Sequence, residues 1–353
     1  MRLLLAGNWV WQVYEQACAD ALSRLGIDII RFAWNNYFRG LLGRLQSKFP
    51  FPGPAVFLLN RALVVTVRQA NPDVVLIWRG THILPNTIRS IRETSGAVVA
   101  SYNNDDPFGP KIHNHAPWHH KLLWRNYLHC VPEYDINFVY RTVNIAETIQ
   151  AGGKNAHLLK PYFIPAINRP VNLTELEKKS YGCDVVFVGH YEPDGREKYL
   201  RALVKAGLHV RLFGGKYWTR QILGDMADYF GEVHTLEPDE YTKSLCGAKM
   251  CLCFLSRINR DTYTRRCFEI PACGCLLLSE RTADLERMFK ENEEAVFFSS
   301  PDELVEKALW LKNHPVEIQR IASAGMRRVH ADRHSVEDRM RQFLDIINIC
   351  GHR

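Results

Sequence analysis

No stretch of this chain is apolar over enough residues to span a bilayer. The longest run, "AVFLLNRALVVTV" from Ala55, is interrupted by Asn60 and Arg61, whereas a membrane helix needs about 20 apolar residues in a row. The first residues, "MRLLLAGNWVW", lack the long apolar core and the small-residue cleavage site of a secretion signal. They read as a first strand. The expected location is the cytoplasm, with a peripheral place at the inner membrane face as the alternative. Gly-x-Gly-x-x-Gly is missing, which argues against a nicotinamide dehydrogenase. So are the Walker A sequence and the Gly-x-Ser-x-Gly elbow. No block of basic residues or RNA-binding signature supports a nucleic-acid partner.

The cysteines lack the two-residue spacing of a zinc knuckle. Of ten, Cys251 and Cys253 are separated by one residue, as are Cys273 and Cys275. Most sit in apolar runs, where a reduced thiol behaves as a small hydrophobe. The chain has 353 residues, 46% of them hydrophobic and 24% charged, which describes a globular protein with room for two cores. Its formal charge of +7 suits an anionic small molecule or a membrane surface.

Strand and helix patterns alternate. "RLLLAG", "DIIRFA", "DVVLIWRG", "AVVASYN", "DINFVYR" and "AHLLKP" read as strands with helical stretches between several of them. Apolar strands separated by helices imply a parallel sheet covered on both faces. "YFIPAINRPVNLTELEKKSYGC" has two prolines and no clear period, and reads as a linker. The pattern then restarts with "DVVFVG", "HVRLFGG", "AKMCLCFL", "GCLLLS" and "AVFFSS". The fold class is therefore α/β, with two Rossmann-like parallel-sheet domains facing a cleft. We divide the chain into residues 1–165, a linker at 166–182, residues 183–330, and a C-terminal helical segment, 331–353. Ligands of such sheets bind at the carboxyl ends of the strands, and the cleft is the natural site. Residues 35–54, "NNYFRGLLGRLQSKFPFPGP", break the rhythm. They read as a helix and turn over the sheet edge, with an acceptor-side or membrane-facing loop as the alternative.

"RRCFEIPACGCLLLSE", residues 265–280, places Glu269 within an apolar element. A glutamate is seldom buried without a partner. Pro271 belongs in a helix's first turn, so the helix is expected to start late, near Cys267, or to kink, and Gly274 to end it. Free N–H groups beside Arg265 and Arg266 would then form an anion site. Glu269 makes sense there if it reaches past a phosphate to the vicinal hydroxyls of a ribose. The plain alternative is a solvent-facing glutamate paired with an arginine on its own helix. Asp261 precedes Glu269 by eight positions.

Acid, seven residues, acid, in "DTYTRRCFE", followed by "EIPACGCLLLS", resembles the retaining glycosyltransferases of the GT-B fold. The match is closest to the branch that includes the spore maturation protein CgeB and related glycosyltransferase 1-like domains. "LERMFKENEEAVFFSSPDELVEKALWLKNHP" and "RHSVEDRMRQFLDII" resemble that family's C-terminal run. "NPDVVLIWRG" and "SYNNDDPFG" resemble its N-terminal half more loosely. The resemblance implies transfer of a sugar from a nucleotide-sugar donor, with retention and without a metal or other cofactor. It places the ribose on Glu269 and puts Asp261 where the family has a glutamate that contacts the transferred sugar. "FVGHYEPDGREKYL" resembles the family's first donor-domain strand and loop. Gly189 would let the backbone approach the donor. Arg196, Lys198, Arg257, Asn259 and Arg260 are candidates for the diphosphate, with a solvated helix face as the alternative for Arg196 and Lys198. Cations at the leaving diphosphate stabilise such a reaction.

Asp105 and Asp106, at a strand end, are candidate acceptor bases, or simply part of an Asn-Asp-Pro-Gly turn. His82 and Gly7 are acceptor-side candidates. His113, His115, His119 and His120 read as loop histidines and not as metal ligands. The sequon at Asn172 is idle in a cytoplasmic protein. The expected acceptor is a glycan, a lipid-linked molecule or a protein. Three rivals stay open: a GT-B sugar-nucleotide epimerase, a catalytically silent nucleotide- or glycan-binding protein, and a peripheral membrane scaffold.

Overall fold

The computed structural model describes residues 1–109 and 118–351; His113 and His115 lie outside them. The chain divides into two compact units. The first contains Met1–Pro161, with Ile258–Arg260 and the segment from Val336 onward; the second contains Tyr162–Arg257 and Asp261–Ser335.

The first unit is built on six parallel strands: β1 (Arg2–Gly7), β2 (Asp28–Ala33), β3 (Val74–Trp78), β4 (Val98–Asn103), β5 (Ile136–Val139) and β6 (Ala156–Leu158). Their order is β2-β1-β3-β4-β5-β6. Leu4 sits opposite Ile30 on one side and Val75 on the other. Leu3, Leu4, Leu5, Val75 and Ile77 are fully buried, as a sheet covered on both faces requires. The longest apolar run forms the helix Pro54–Ala70, which starts on a first-turn proline and stops at left-handed Asn71. Leu59 and Leu63 on its inner face pack with Ile77 and Ile88. The helix Ala17–Arg24 packs against the C-terminal helix Val336–Gly351.

The second unit has five parallel strands: β7 (Cys183–Val188), β8 (Val210–Phe213), β9 (Ala248–Cys253), β10 (Leu277–Glu280) and β11 (Val296–Phe298), in the order β11-β10-β9-β7-β8. In each sheet the first strand has the second on one side and the third on the other. The chain therefore reverses direction across the sheet beside β1 and beside β7. The carboxyl ends of strands at such a reversal are where open α/β sheets hold ligands.

All eleven strands coincide with the apolar runs read from the sequence. Two stretches hold more structure than their composition suggested. The proline-rich segment after the first unit contains the helix Glu175–Tyr181, started by a capping box between Thr174 and Glu177. The loop between β8 and β9 contains the helices Arg220–Leu223, Ala227–Phe230 and Pro238–Gly247. Among the described residues no helix is long and apolar enough to cross a membrane. All ten cysteines are free, and eight are buried.

Candidate functional site

In the second unit, the backbone closes tightly after β7 and β8. Gly189 accepts a hydrogen bond from Trp218 Nε1 at 2.8 Å. Gly214 adopts φ +149, and a Cβ on it would lie 2.0 Å from the Gly189 carbonyl oxygen. Only glycine fits there. A Cβ on Gly189 would lie 2.9 Å from Arg266 Nη2 and 2.7 Å from Phe187 Cζ. The Arg266 guanidinium thus rests against bare backbone at the carboxyl end of β7, and Gly189 makes room for it.

The element carrying Glu269 is the helix Arg266–Ala272, with Pro271 inside it and Gly274 (φ +70) beyond its end. The helix starts one residue from Cys267, where expected, but Pro271 is its sixth residue and not in its first turn, which corrects the reason given for that start. The expected free donors are also engaged. Cys267 N–H donates to the Thr264 carbonyl at 3.0 Å, and Phe268 N–H to the Arg265 carbonyl at 2.9 Å.

Glu269 is buried, with 3% of its surface exposed. Arg265 Nε lies 2.8 Å from its Oε1, and the Tyr241 hydroxyl donates to Oε2 at 2.9 Å. Burial, and then the charge of Glu269, push the Tyr241 phenol well above its ordinary range, so it stays a donor. The expected pairing with an arginine of the same turn is present, but inside the unit and not on a solvated face. Tyr241 comes from the helix Pro238–Gly247 and carried no signal in the sequence.

Asp261 is half-buried in the loop after β9, where its N–H donates to the Ser256 carbonyl at 2.9 Å. Arg257 is exposed and paired with Glu280 at 2.9 Å. Lys198 is exposed on the helix Arg196–Lys205. Arg196 is instead buried. Its Nε donates to Asp194 Oδ1 at 2.9 Å, its Nη2 to Oδ2 at 2.5 Å, and its Nη1 to the His190 carbonyl at 2.6 Å. Its charge holds the loop after β7 together.

Asn259 and Arg260 belong to the first unit. Arg260, in a left-handed conformation (φ +50), donates from Nε to Asp106 Oδ2 at 2.5 Å. It also clamps both oxygens of Glu147 at 2.8 Å. Asp106 Oδ1 accepts from Phe108 N–H and from Asn144 Nδ2, both at 3.0 Å, and Asn259 accepts from the Asp106 N–H at 3.2 Å. The Asp106 carboxylate has no exposed surface. It anchors the loop after β4 and offers no oxygen to a substrate, against its expected role as a base.

Asp105 points elsewhere, into a cavity of about 380 Å³ lined by residues that follow β1, β2, β3 and β4. Trp11, Tyr14, Trp34 and Trp78 supply aromatic walls, and Glu15, Arg79 and Asp105 supply charge. Glu15 is buried; its Oε1 accepts from Asn8 N–H at 2.8 Å and Trp9 N–H at 3.3 Å. A Cβ on Gly7 would lie 2.5 Å from that same oxygen, so Gly7 makes the space Glu15 occupies. Arg79 has φ +64 and brings Nε within 3.0 Å of Asp105 Oδ2, off the N–H axis. His82 is a buried wall residue. Its Nε2 is 3.2 Å from the Ser47 carbonyl, which only accepts, so Nε2 carries the proton and Nδ1 accepts from the Thr81 hydroxyl at 3.0 Å. Burial lowers its pKa to about 4, so the ring is neutral at pH 7. The structure thus gathers His82 and Asp105 around one cavity, with Gly7 behind its Glu15 wall, and the sequence reading only partly named the cavity's acids, cation and indoles. Among the described residues no group of three or more His, Cys, Asp or Glu side chains is arranged to hold a metal ion.

Residues 196–345 match a family model described as glycosyl transferase-like. No curated protein sequence matches the chain significantly. Solved structures do. Sucrose-phosphate synthase from Thermosynechococcus elongatus aligns over 99% of this chain and 98% of its own, with a TM-score of 0.72 and 12% identity. Anabaena HepE in complex with UDP and glucose aligns over 99% of both chains, with a TM-score of 0.68 and 11% identity. A trehalose-6-phosphate structure from E. coli bound with UDP-2-fluoro glucose covers 98% of this chain and 99% of its own, with a TM-score of 0.64 and 12% identity. At such identities the likeness shows the fold: two parallel-sheet α/β domains, the GT-B architecture of these glycosyltransferases.

Proposed function

We propose that the protein is a glycosyltransferase whose second unit binds a UDP-sugar and whose first unit binds the acceptor. The observation that carries this reading is the buried Glu269 with Arg265 and Arg266 at the carboxyl end of a parallel sheet, inside the stretch that matches the glycosyl transferase-like model. A carboxylate with unused lone pairs accepts the two hydroxyls of a ribose. Guanidinium groups beside it take the diphosphate and stabilise it as it leaves. UDP is the favoured nucleotide because HepE and the E. coli structure are described with UDP or a UDP-sugar. The CgeB-like motif around Glu269 supports the same assignment.

Arg265 is the more exposed member of its pair with Glu269. It is the group we expect to move when ribose reaches the carboxylate. Asp261, eight positions earlier, faces the transferred sugar in this reading, which favours retention. The cations already present make a metal unnecessary. For the acceptor, the indole walls and two carboxylates of the 380 Å³ cavity suit a saccharide, whose C–H faces stack on aromatics while its hydroxyls donate to acids. Asp105, the more accessible carboxylate, is the candidate base.

The test is incubation with UDP-glucose and other UDP-sugars in the presence of a chelator, with and without simple saccharide acceptors. The reading expects free UDP and a new glycoside in equal amounts. An isomerised UDP-sugar with no UDP release would instead establish an epimerase. Nucleotide binding without turnover on saccharide and lipid-linked acceptors alike would establish a silent binding protein.

A further inference from the structure

The helix Gly40–Lys48 is packed inside out. Its buried residues are Gly43 and Gln46. A Cβ on Gly43 would lie 2.6 Å from the Phe38 backbone, and Gln46 Oε1 accepts from Ala55 N–H at 3.0 Å. Polar and backbone contacts hold this helix down. Its leucines face away: Leu41 is 80% exposed, Leu42 70% and Leu45 46%. A surface helix normally buries such residues and shows its polar ones.

The next helix adds to the same kind of face. On Pro54–Ala70, Phe57, Leu58, Arg61, Val65 and Arg68 are exposed and recur at helical spacing along one side. Phe51 is also exposed, as is Trp118, which stacks on Phe49 at 5.6 Å. Charge is one-sided as well. Between Asp28 and Asp73 the sequence has no acidic residue, and it carries Arg31, Arg39, Arg44, Lys48, Arg61 and Arg68.

We propose that this face docks on an anionic lipid surface, with Leu41, Leu42, Leu45, Phe57 and Leu58 entering the headgroup and acyl boundary. Arg39, Arg44, Lys48 and Arg61 engage the phosphates around them. Exposed leucines beside cations match a bilayer better than a nucleic acid, which would leave the leucines in water. The helices lie on the membrane and do not cross it: Asn60, buried on the inner side of Pro54–Ala70, bonds the His82 carbonyl at 2.8 Å and the Leu84 N–H at 3.0 Å. The docking stands without the acceptor reading. Combined with that reading it favours a lipid-linked acceptor, because the same segment supplies Phe38 and Ser47 to the cavity wall.

The experiment is vesicle co-sedimentation of the full chain with phosphatidylcholine alone and with phosphatidylcholine plus phosphatidylglycerol. Wild type should bind the anionic vesicles, less so as salt rises. Leu41→Glu with Leu42→Glu should weaken binding by about tenfold or more, because two leucines no longer leave water. Arg44→Gln with Lys48→Gln should reduce the preference for the anionic vesicle. UDP binding, measured on the same variants, should not change. Wild type that stays in solution with both vesicles would overturn the proposal. So would leucine variants that sediment like wild type. A concentration-dependent dimer that these variants abolish, without vesicle binding, would assign the face to a second copy of the chain instead.

Discussion

Arg265 and Glu269 stand one helical turn apart and form an ion pair at 2.8 Å, with the carboxylate almost wholly buried. Removing one partner leaves a charge inside the unit. Arg265→Met or Glu269→Leu alone should destabilise the protein by up to about 3 kcal/mol, discounted for the partly exposed guanidinium. The double variant should recover part of that loss. Denaturant unfolding of all four proteins measures the coupling. Additive single effects would mean the pair contributes little and Tyr241 alone holds Glu269.

Gly189→Ala puts a methyl group 2.9 Å from Arg266 Nη2 and 2.7 Å from Phe187 Cζ. The arginine, at the end of a flexible side chain, gives way, and the buried Phe187 ring must shift as well. We therefore expect some loss of stability and a UDP affinity lower by about tenfold or more, as one charge-assisted contact is displaced. Circular dichroism and a binding titration separate the two. An unchanged affinity would remove Arg266 from the donor site.

His82 makes the first unit's stability depend on pH. Its pKa is about 4 in the folded protein against an ordinary 6.5, because burial disfavours the imidazolium. Between these values the unfolded chain binds more protons, so stability rises with pH across the window. It is fully present above about pH 6.5 and falls as the solution is acidified toward pH 4. The loss is about 3 kcal/mol for a shift of this size. His82→Gln should flatten the melting temperature profile between those limits. A profile as steep as wild type would place the titration elsewhere.

Asp106 and Arg260 meet at 2.5 Å with no carboxylate surface exposed. Arg260→Met strands Asp106 and should cost about 3–5 kcal/mol. Asp106→Asn should likewise appear first as lost stability. Asp105→Asn, at a partly exposed residue on the cavity, should leave the melting temperature within about 2 °C and lower turnover instead. The opposite pattern would make Asp106 the reactive residue.

The strands were legible because each is a short apolar run, many of them closed by glycine, proline or asparagine, and parallel sheets need little else. Glu269 was legible because an acid in an apolar run contradicts its surroundings and needs a partner. The partner itself was half legible: Arg265 is one turn away, but Tyr241 is 28 residues upstream and reaches Glu269 only through the fold. Arg196 looked like a free cation, yet Asp194, two residues earlier, turns back to take it. Asp105 and Asp106 are adjacent and chemically alike, and only the backbone decides that one faces a cavity and the other Arg260. Glu15 went unread for the same reason: its place was visible only as the empty space beside Gly7. The segment 35–54 carries a membrane-facing loop as its alternative reading, but the outward turn of its leucines was not legible, because periodicity shows that a helix has an apolar side and not which way it turns.

The central claim is that the second unit holds a nucleoside diphosphate through Glu269 and its arginines. Calorimetric titration of UDP into the full chain, with chelator present, tests it most directly. We predict one site per chain in the wild type, and affinity lower by about tenfold to a hundredfold in Glu269→Ala as the ribose hydroxyls lose a charged acceptor. No binding of UDP, GDP or ADP to the wild type, or equal binding to the variant, would contradict the account.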